Sequence, residues 1–349
     1  AQIPFHFWLP NAMTAPTPIS AFLHSATMVK AGIYLLARLH PILGGTHAWM
    51  GTLVLVGGIT ALLGSVLALQ AIDLKRILAY TTIMALGILT MFLGGQTTPA
   101  LTAAMTFLMV HSLYKCSLFL VVGIIDHQAG TRMMDRLGGL LKSMPITAFA
   151  AAAAALSMAG FPLFFGFIGK EIMYKGALTE DLFPVFATAA ALLANSLMTA
   201  VAGLLAIKPF LGALPGTPLK PREAPLAMWL GPVIMGFLGL IFGIIPDWVG
   251  RWLIEPAVRA FHPSMEDIQL KLFYGINEPL LLSIATLSLG AILYCIKRPL
   301  RQFIGKALSH IPFQFEHVYT GGLEGIAKIA KIPLFKLCEG NDIAGLFLR

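Results

Sequence analysis

Long apolar runs alternate with short polar or Gly/Pro-marked turns, and each run has about the 20 residues a membrane-crossing helix needs. Candidate spans fall at about 17–37, 48–70, 77–95, 100–125, 145–178, 182–207, 225–246 and 278–296, after a possible helix remnant at 1–9. The expected fold is therefore an all-α polytopic membrane protein of about eight spans. The fifth span is long and carries Gly160-Phe161-Pro162 in its middle. Proline removes a backbone donor and clashes one turn back, so two half-helices are expected, at about 145–160 and 162–178. Broken helices at membrane depth commonly line an aqueous cavity in a transporter; a plain proline kink is the alternative.

Composition agrees with the pattern. Of the 349 residues, 57% are hydrophobic and 11% charged, against about a quarter charged in soluble domains. Cys116, Cys295 and Cys338 stand far apart, with no spacing that suits zinc or an iron–sulfur cluster. No glycine-rich nucleotide-binding pattern is present, so no cofactor and no metal site are expected. The net charge of +8 sorts by side. Lys75, Arg76, Arg132, Arg136, Lys142, Lys208, Lys220, Arg222, Lys297, Arg298, Arg301 and Lys306 fall on one face, and Arg38, Lys175, Arg251, Arg259 and Lys271 on the other. The richer face is expected to be cytoplasmic, and a nucleic-acid partner is not needed to explain the charge. The chain opens on AQIPFHFWLP, without Met or a signal-peptide pattern, and reads as an internal piece of a longer protein. Two parts are expected: a transmembrane domain over 1–298, and a cytoplasmic segment over 299–349. The second mixes apolar residues with Lys306, Lys328, Lys331 and Lys336 and is interrupted by Pro312 and Pro333. An amphipathic helix along the membrane surface fits it; a disordered tail is the alternative.

Three lysines lie inside spans or at their edges: Lys30, Lys115 and Lys170. Ionisable groups there are expensive and usually face the bundle interior or a water path, unless a flexible stem carries the charge to the interface. Lys115 is eleven residues before Asp126 and sixteen after Pro99, so the nearer interface is roughly 15 Å away at a rise of ~1.5 Å per residue. That is beyond a lysine's reach. For Lys30, eight residues from Arg38, snorkelling is marginal, and Lys170 could simply mark the end of a long span. His111 and Lys115 are one helical turn apart and share a face. His24 and Lys30 are six apart and would diverge on an unbroken helix, with Ser25 and Thr27 between them able to carry a water chain. A lone histidine on an apolar face is usually a hydrogen-bonded core residue; paired with buried lysines in two spans, it reads as part of a proton relay. Glu171 adjoins Lys170, but helix neighbours do not face each other. Without a carboxylate partner a buried amine is stable uncharged, so Lys115 can take up and release a proton.

Four blocks carry a resemblance: FHFWLPNAMTAPTPISAFLHSATMVKAGIYLLARLHP at 5–41, DLKRILAYTTIMALG at 73–87, HSLYKCSLFLVVGIIDHQAGTR at 111–132 and LSMAGFPLFFGFIGKE at 156–171. In this order they resemble the antiporter-like membrane subunits shared by respiratory complex I and the multi-subunit Mrp cation/proton antiporters, over about residues 1–300. Asn11, Lys30 and DHQAGTR are similar to the A-subunit branch of Mrp-type Na+/H+ antiporters; the L subunit of complex I usually has WLPDAM and a threonine in place of Lys30. The resemblance implies an antiporter-like bundle of inverted repeats, each with one discontinuous helix, and a central line of Lys and His. It puts His24 and Lys30 on the first broken helix, His111 and Lys115 on the bridging helix, and Lys170 on the second broken helix. The first break is not marked by Pro or Gly between His24 and Lys30, and the Glu–Lys pair of the first repeat would lie upstream of Ala1.

The expectation is a secondary transporter and not an enzyme: one component of a multi-subunit Na+/H+ antiporter in a prokaryotic plasma membrane, with other subunits, Na+, H+ and lipid as partners. The alternative is a proton-pumping, L-like component of NADH–quinone oxidoreductase or of a membrane-bound hydrogenase. A passive channel is disfavoured, since it would not need titratable groups spread over three spans.

Overall fold

The computed structural model describes residues 1–213, 216–263, 266–309 and 321–322, and among them the regular structure is helical. The principal helices are α1 Thr17–Ser25, α2 Met28–Leu43, α3 His47–Gln70, α4 Leu74–Gly94, α5 Thr98–Ala129, α6 Pro145–Ala159, α7 Phe165–Leu178, α8 Pro184–Ala206, α9 Leu226–Ile244, α10 Glu278–Cys295 and α11 Lys297–Ser309. Among the described residues seven stretches are long and apolar enough to cross a membrane, with α1 and α2 counted as one. The broken pair is made of two shorter helices, α6 with 15 residues and α7 with 14. Ala1–Ile304 pack as one unit; of the second unit, Gly305–Arg349, only the end of α11 and Gly321–Gly322 are described. The readings placed on Pro312, Lys328, Lys331, Pro333, Lys336 and Cys338 lie outside the described residues.

Helix ends follow local chemistry. The Asp73 side chain accepts from the amides of Lys75 and Arg76 at 2.8 and 3.3 Å and opens α4. Thr97 does the same for α5 through Ala100, with Pro99 in the first turn. α4 is buried nearly all round and packs tightly on α3, where a Cβ on Gly57 or Gly87 would run into the facing backbone. Small residues of this kind let membrane helices approach closely. α5 has 32 residues, about 48 Å at ~1.5 Å each, and overruns a hydrocarbon core of about 30 Å. It touches α1, α4, α6, α7 and α9 and forms the axis of the bundle. α9 and α10 lie at the edge and expose Ile234, Phe237, Leu281 and Ile284, as lipid-facing helices do.

Three details differ from the sequence reading. The span expected at 17–37 is interrupted after Ser25 and runs on to Leu43. The second half of the broken span begins at Phe165, not at 162, because Gly160 and Leu163 both adopt left-handed backbone, with φ of 72° and 75°. At the start of the chain the helix is Trp8–Asn11, with turns before it.

Candidate functional site

The axis helix α5 carries the centre of the site. Lys115 is fully buried and its ammonium donates to Thr81 Oγ1 on α4. It lies 5.7 Å from the centre of the Phe119 ring, and the His24 ring stacks on the same phenyl group at 5.8 Å. One turn before Lys115, His111 is also fully buried, between Phe107 and Tyr114. Among the described residues neither of its ring nitrogens has a hydrogen-bond partner. An imidazole left unpaired in an apolar surrounding is costly. His111 lies within electrostatic reach of both Lys30 and Lys115.

Lys30 reaches α5 from the side. Its Nζ donates to Ser112 Oγ and, at 3.2 Å, to the Leu108 carbonyl. The step between α1 and α2 makes this possible. Ser25 Oγ donates back to the Ala21 carbonyl and Thr27 Oγ1 to the Phe22 carbonyl at 3.1 Å, while Ala26 and Thr27 leave helical geometry. Hydroxyls that bond the preceding turn compete with the helix ladder. His24 and Lys30, which an unbroken helix would turn apart, are thereby both brought against α5.

Lys170, on α7, is buried rather than interfacial. Its Nζ donates to the carbonyl of Ala159, the last residue of α6, and to Thr199 Oγ1 on α8 at 3.2 Å. The last carbonyls of a helix have no partner within it and carry the negative end of its dipole, so the break supplies the acceptor for the lysine. Gly160 is required twice: its φ is 72°, and a Cβ there would strike the Lys170 stem. α7 meets α5 where Gly169 packs on Val110, which puts Lys170 and His111 each one residue from that contact.

The five predicted groups thus gather around α5 and α7. The three lysines have separate oxygen acceptors, and among the described residues none pairs with a carboxylate. Sequence reasoning missed three buried lysines and glutamates, Lys75, Glu171 and Glu180. Lys75, counted as a loop cation, is buried and donates to the Ala15 carbonyl at 2.6 Å; its neighbours Asp73 and Arg76 made it look interfacial. Glu171 is buried too, pointing away from Lys170 to accept from Ser283 Oγ on α10 at 3.2 Å. It lines a cavity of about 310 Å³ with Lys175, Tyr274 and Asn277. The signal for Glu171 was its position one residue on from a buried lysine.

Discontinuous helices in an apolar bundle, with buried amines that lack carboxylate partners among the described residues, define a polytopic membrane component with a basic interior. Residues 1–199 match the family described as NADH:quinone oxidoreductase/Mrp antiporter, TM, and the chain belongs to it. It is similar to the A/B subunit of a probable K(+)/H(+) antiporter of Rhizobium meliloti (41% identity over 308 residues, 85% of this chain and 30% of the relative). It is also similar to the A subunit of the Na(+)/H(+) antiporter of Alkalihalophilus pseudofirmus (37% over 328 residues, 85% and 41%). Among solved structures, the Mrp complex from Dietzia sp. DQ12-45-1b superposes with a TM-score of 0.84 at 34% identity, covering 95% of this chain and 36% of that one. The chain therefore spans between about a third and two fifths of the length of these relatives.

Proposed function

We propose that the chain is the proton-conducting core of the A subunit of a Mrp-type monovalent cation/proton antiporter in a prokaryotic plasma membrane. It works as a secondary transporter with other subunits, not as an enzyme. Residues 1–298 form the transmembrane domain in this reading, and 299–349 a segment along the cytoplasmic surface.

The observation that carries the reading is the set of buried lysines held by hydroxyl and carbonyl oxygens instead of carboxylates. An ammonium with a fixed counter-ion stays charged; one with neutral acceptors can pass its proton on and remain in place as an amine. Protons move from Lys30 by way of His111 to Lys115, which His24 flanks across the Phe119 ring, and then by water to Lys170. From Lys170 the way out leads past Glu171 to the cavity at Lys175, Tyr274 and Asn277. The break at Gly160–Pro162 and the step at Ala26–Thr27 admit the water. A membrane potential supplies about 2.3 kcal/mol per charge per 100 mV, enough to drive electrogenic exchange.

Both a sodium-named and a potassium-named relative match at similar identity. Na+ is the proposed cation, and K+ is the second candidate on that ground. The family description also spans quinone oxidoreductases, but the antiporter relatives support the antiport branch. Lys115→Ala in the full-length complex tests the reading. The variant inserts and assembles, since it makes α5 more apolar, and Na+- or K+-driven proton movement in vesicles falls to background. Exchange at the wild-type rate would remove Lys115 from the path.

A further inference from the structure

On the Lys-rich side, α6, α8 and α10 leave a lateral groove of about 690 Å³. Its walls are apolar: small residues such as Ala152 on α6, Gly203 on α8 and Gly290 on α10 open the furrow, and larger ones such as Phe149, Leu156 and Phe210 flank it. The inner end is formed by Ala159 and Thr199, the two residues that hold the Lys170 ammonium. From Pro145 to Ala159 the groove follows α6 for about 20 Å at ~1.5 Å per residue. That is a little more than one leaflet, half of a core about 30 Å thick.

The mouth is cationic. Tyr294 and Cys295 line it, and Lys297 follows, its ammonium 3.6 Å from the Tyr294 ring centre. Burial, and then the charges of Arg298, Arg301 and Lys208, push the Lys297 ammonium down from its ordinary value, with the nearby Cys295 acting the other way. Leu141 lines the opposite wall and the exposed Lys142 follows it in the chain, while Lys208 donates to the Leu137 carbonyl at 3.3 Å and Lys297 to the Tyr294 carbonyl at 3.1 Å, which leaves each ammonium further protons to donate. Glu223 is turned to the start of α6, where it accepts from the Ile146 and Thr147 amides at 2.7 and 3.3 Å and from Thr147 Oγ1 at 2.6 Å.

From this juxtaposition we infer that the groove is a binding site for one anionic phospholipid, with an acyl chain along α6, α8 and α10 and the headgroup phosphate held by Lys142, Lys208 and Lys297. An apolar furrow one leaflet deep matches an acyl chain, and basic pockets between transmembrane helices on the cytoplasmic side select anionic headgroups. The chain end covers the carbonyl and hydroxyl that anchor Lys170 and closes the second helix break from the bilayer side. That consequence rests on the proton-path reading; the lipid site itself does not.

The test uses the full-length protein in its assembled complex, delipidated in mild detergent and titrated with phosphatidylglycerol or phosphatidylcholine of equal chain length under native mass spectrometry. Phosphatidylglycerol is retained in preference, and Lys208→Gln with Lys297→Gln lowers that preference about thirtyfold, since each basic group near the surface is worth about fivefold. A photocrosslinking residue at Ala152 yields phospholipid adducts. Equal retention of the two lipids, an unchanged preference in the double variant, or an Ala152 crosslink to a protein segment would overturn the site. Loss of lipid preference with proton transport intact would leave the lipid site standing and remove only its sealing role. Loss of transport in Lys170→Ala with lipid binding intact would test the proton path separately.

Discussion

The two broken helices are made by different chemistry. Between α6 and α7 the chain turns on a left-handed Gly160, passes Pro162 and a left-handed Leu163, and resumes at Phe165. Between α1 and α2 the interruption is only Ala26–Thr27, held by two hydroxyls that bond back to the Ala21 and Phe22 carbonyls. The lysines use the breaks differently. Lys170 folds back onto the carbonyl that its own break leaves open, so break and lysine form one unit. Lys30 instead reaches across to Ser112 and Leu108 on α5, and its break serves to re-aim the helix. A wide break that holds a charge and a narrow one that redirects a helix should therefore respond unequally to mutation.

Gly160→Val attacks the first. A β-branched residue at φ 72° carries about 1–3 kcal/mol of backbone strain, and its side chain would displace the Lys170 stem. The purified complex should melt several degrees lower and lose proton transport. Thr27→Val attacks the second by removing a single hydrogen bond to the Phe22 carbonyl, worth about 1 kcal/mol. Melting should shift little, and transport should slow without stopping. Equal losses from the two changes would mean that the narrow break holds its lysine as the wide one does.

A smaller effect concerns the turn that connects α7 to α8. There Glu180 is buried with Oε1 unpaired, and burial first, then the charge of Asp181, push its carboxyl up to about 7. A raised carboxyl favours the folded state fully below its ordinary value of 4.5, and the contribution is lost as pH rises through 7. Glu180→Gln should therefore melt higher than the parent at pH 8, with the difference vanishing near pH 4.5. A constant offset at both pH values would mean that the carboxyl ionises in the fold as it does in water.

Much of the architecture was legible in the sequence, because apolar runs of bilayer length and a Gly-Phe-Pro break are written in residue type alone. The narrow break was not, since Ser25 and Thr27 interrupt a helix only through bonds that depend on rotamer, and the same residues occur in continuous helices. Lys30 and Lys115 stood out because each was far from other charge, whereas Lys170, beside Glu171, stood out only through the break before it. Lys75 did not, because Asp73 and Arg76 beside it imitate an interface. The direction of Glu171 needed α10, which lies more than a hundred residues further along the chain.

In the proposed path Lys170 passes on a proton rather than holding a fixed charge. Arginine keeps the charge but does not release its proton near neutral pH. Lys170→Arg should assemble like the parent, with the guanidinium still able to reach the Ala159 carbonyl, and cation-driven proton movement in vesicles of the full-length complex should be abolished as completely as in Lys170→Ala. Transport retained in Lys170→Arg and lost in Lys170→Ala would show that positive charge alone is required there, and the proton path through Lys170 would be wrong.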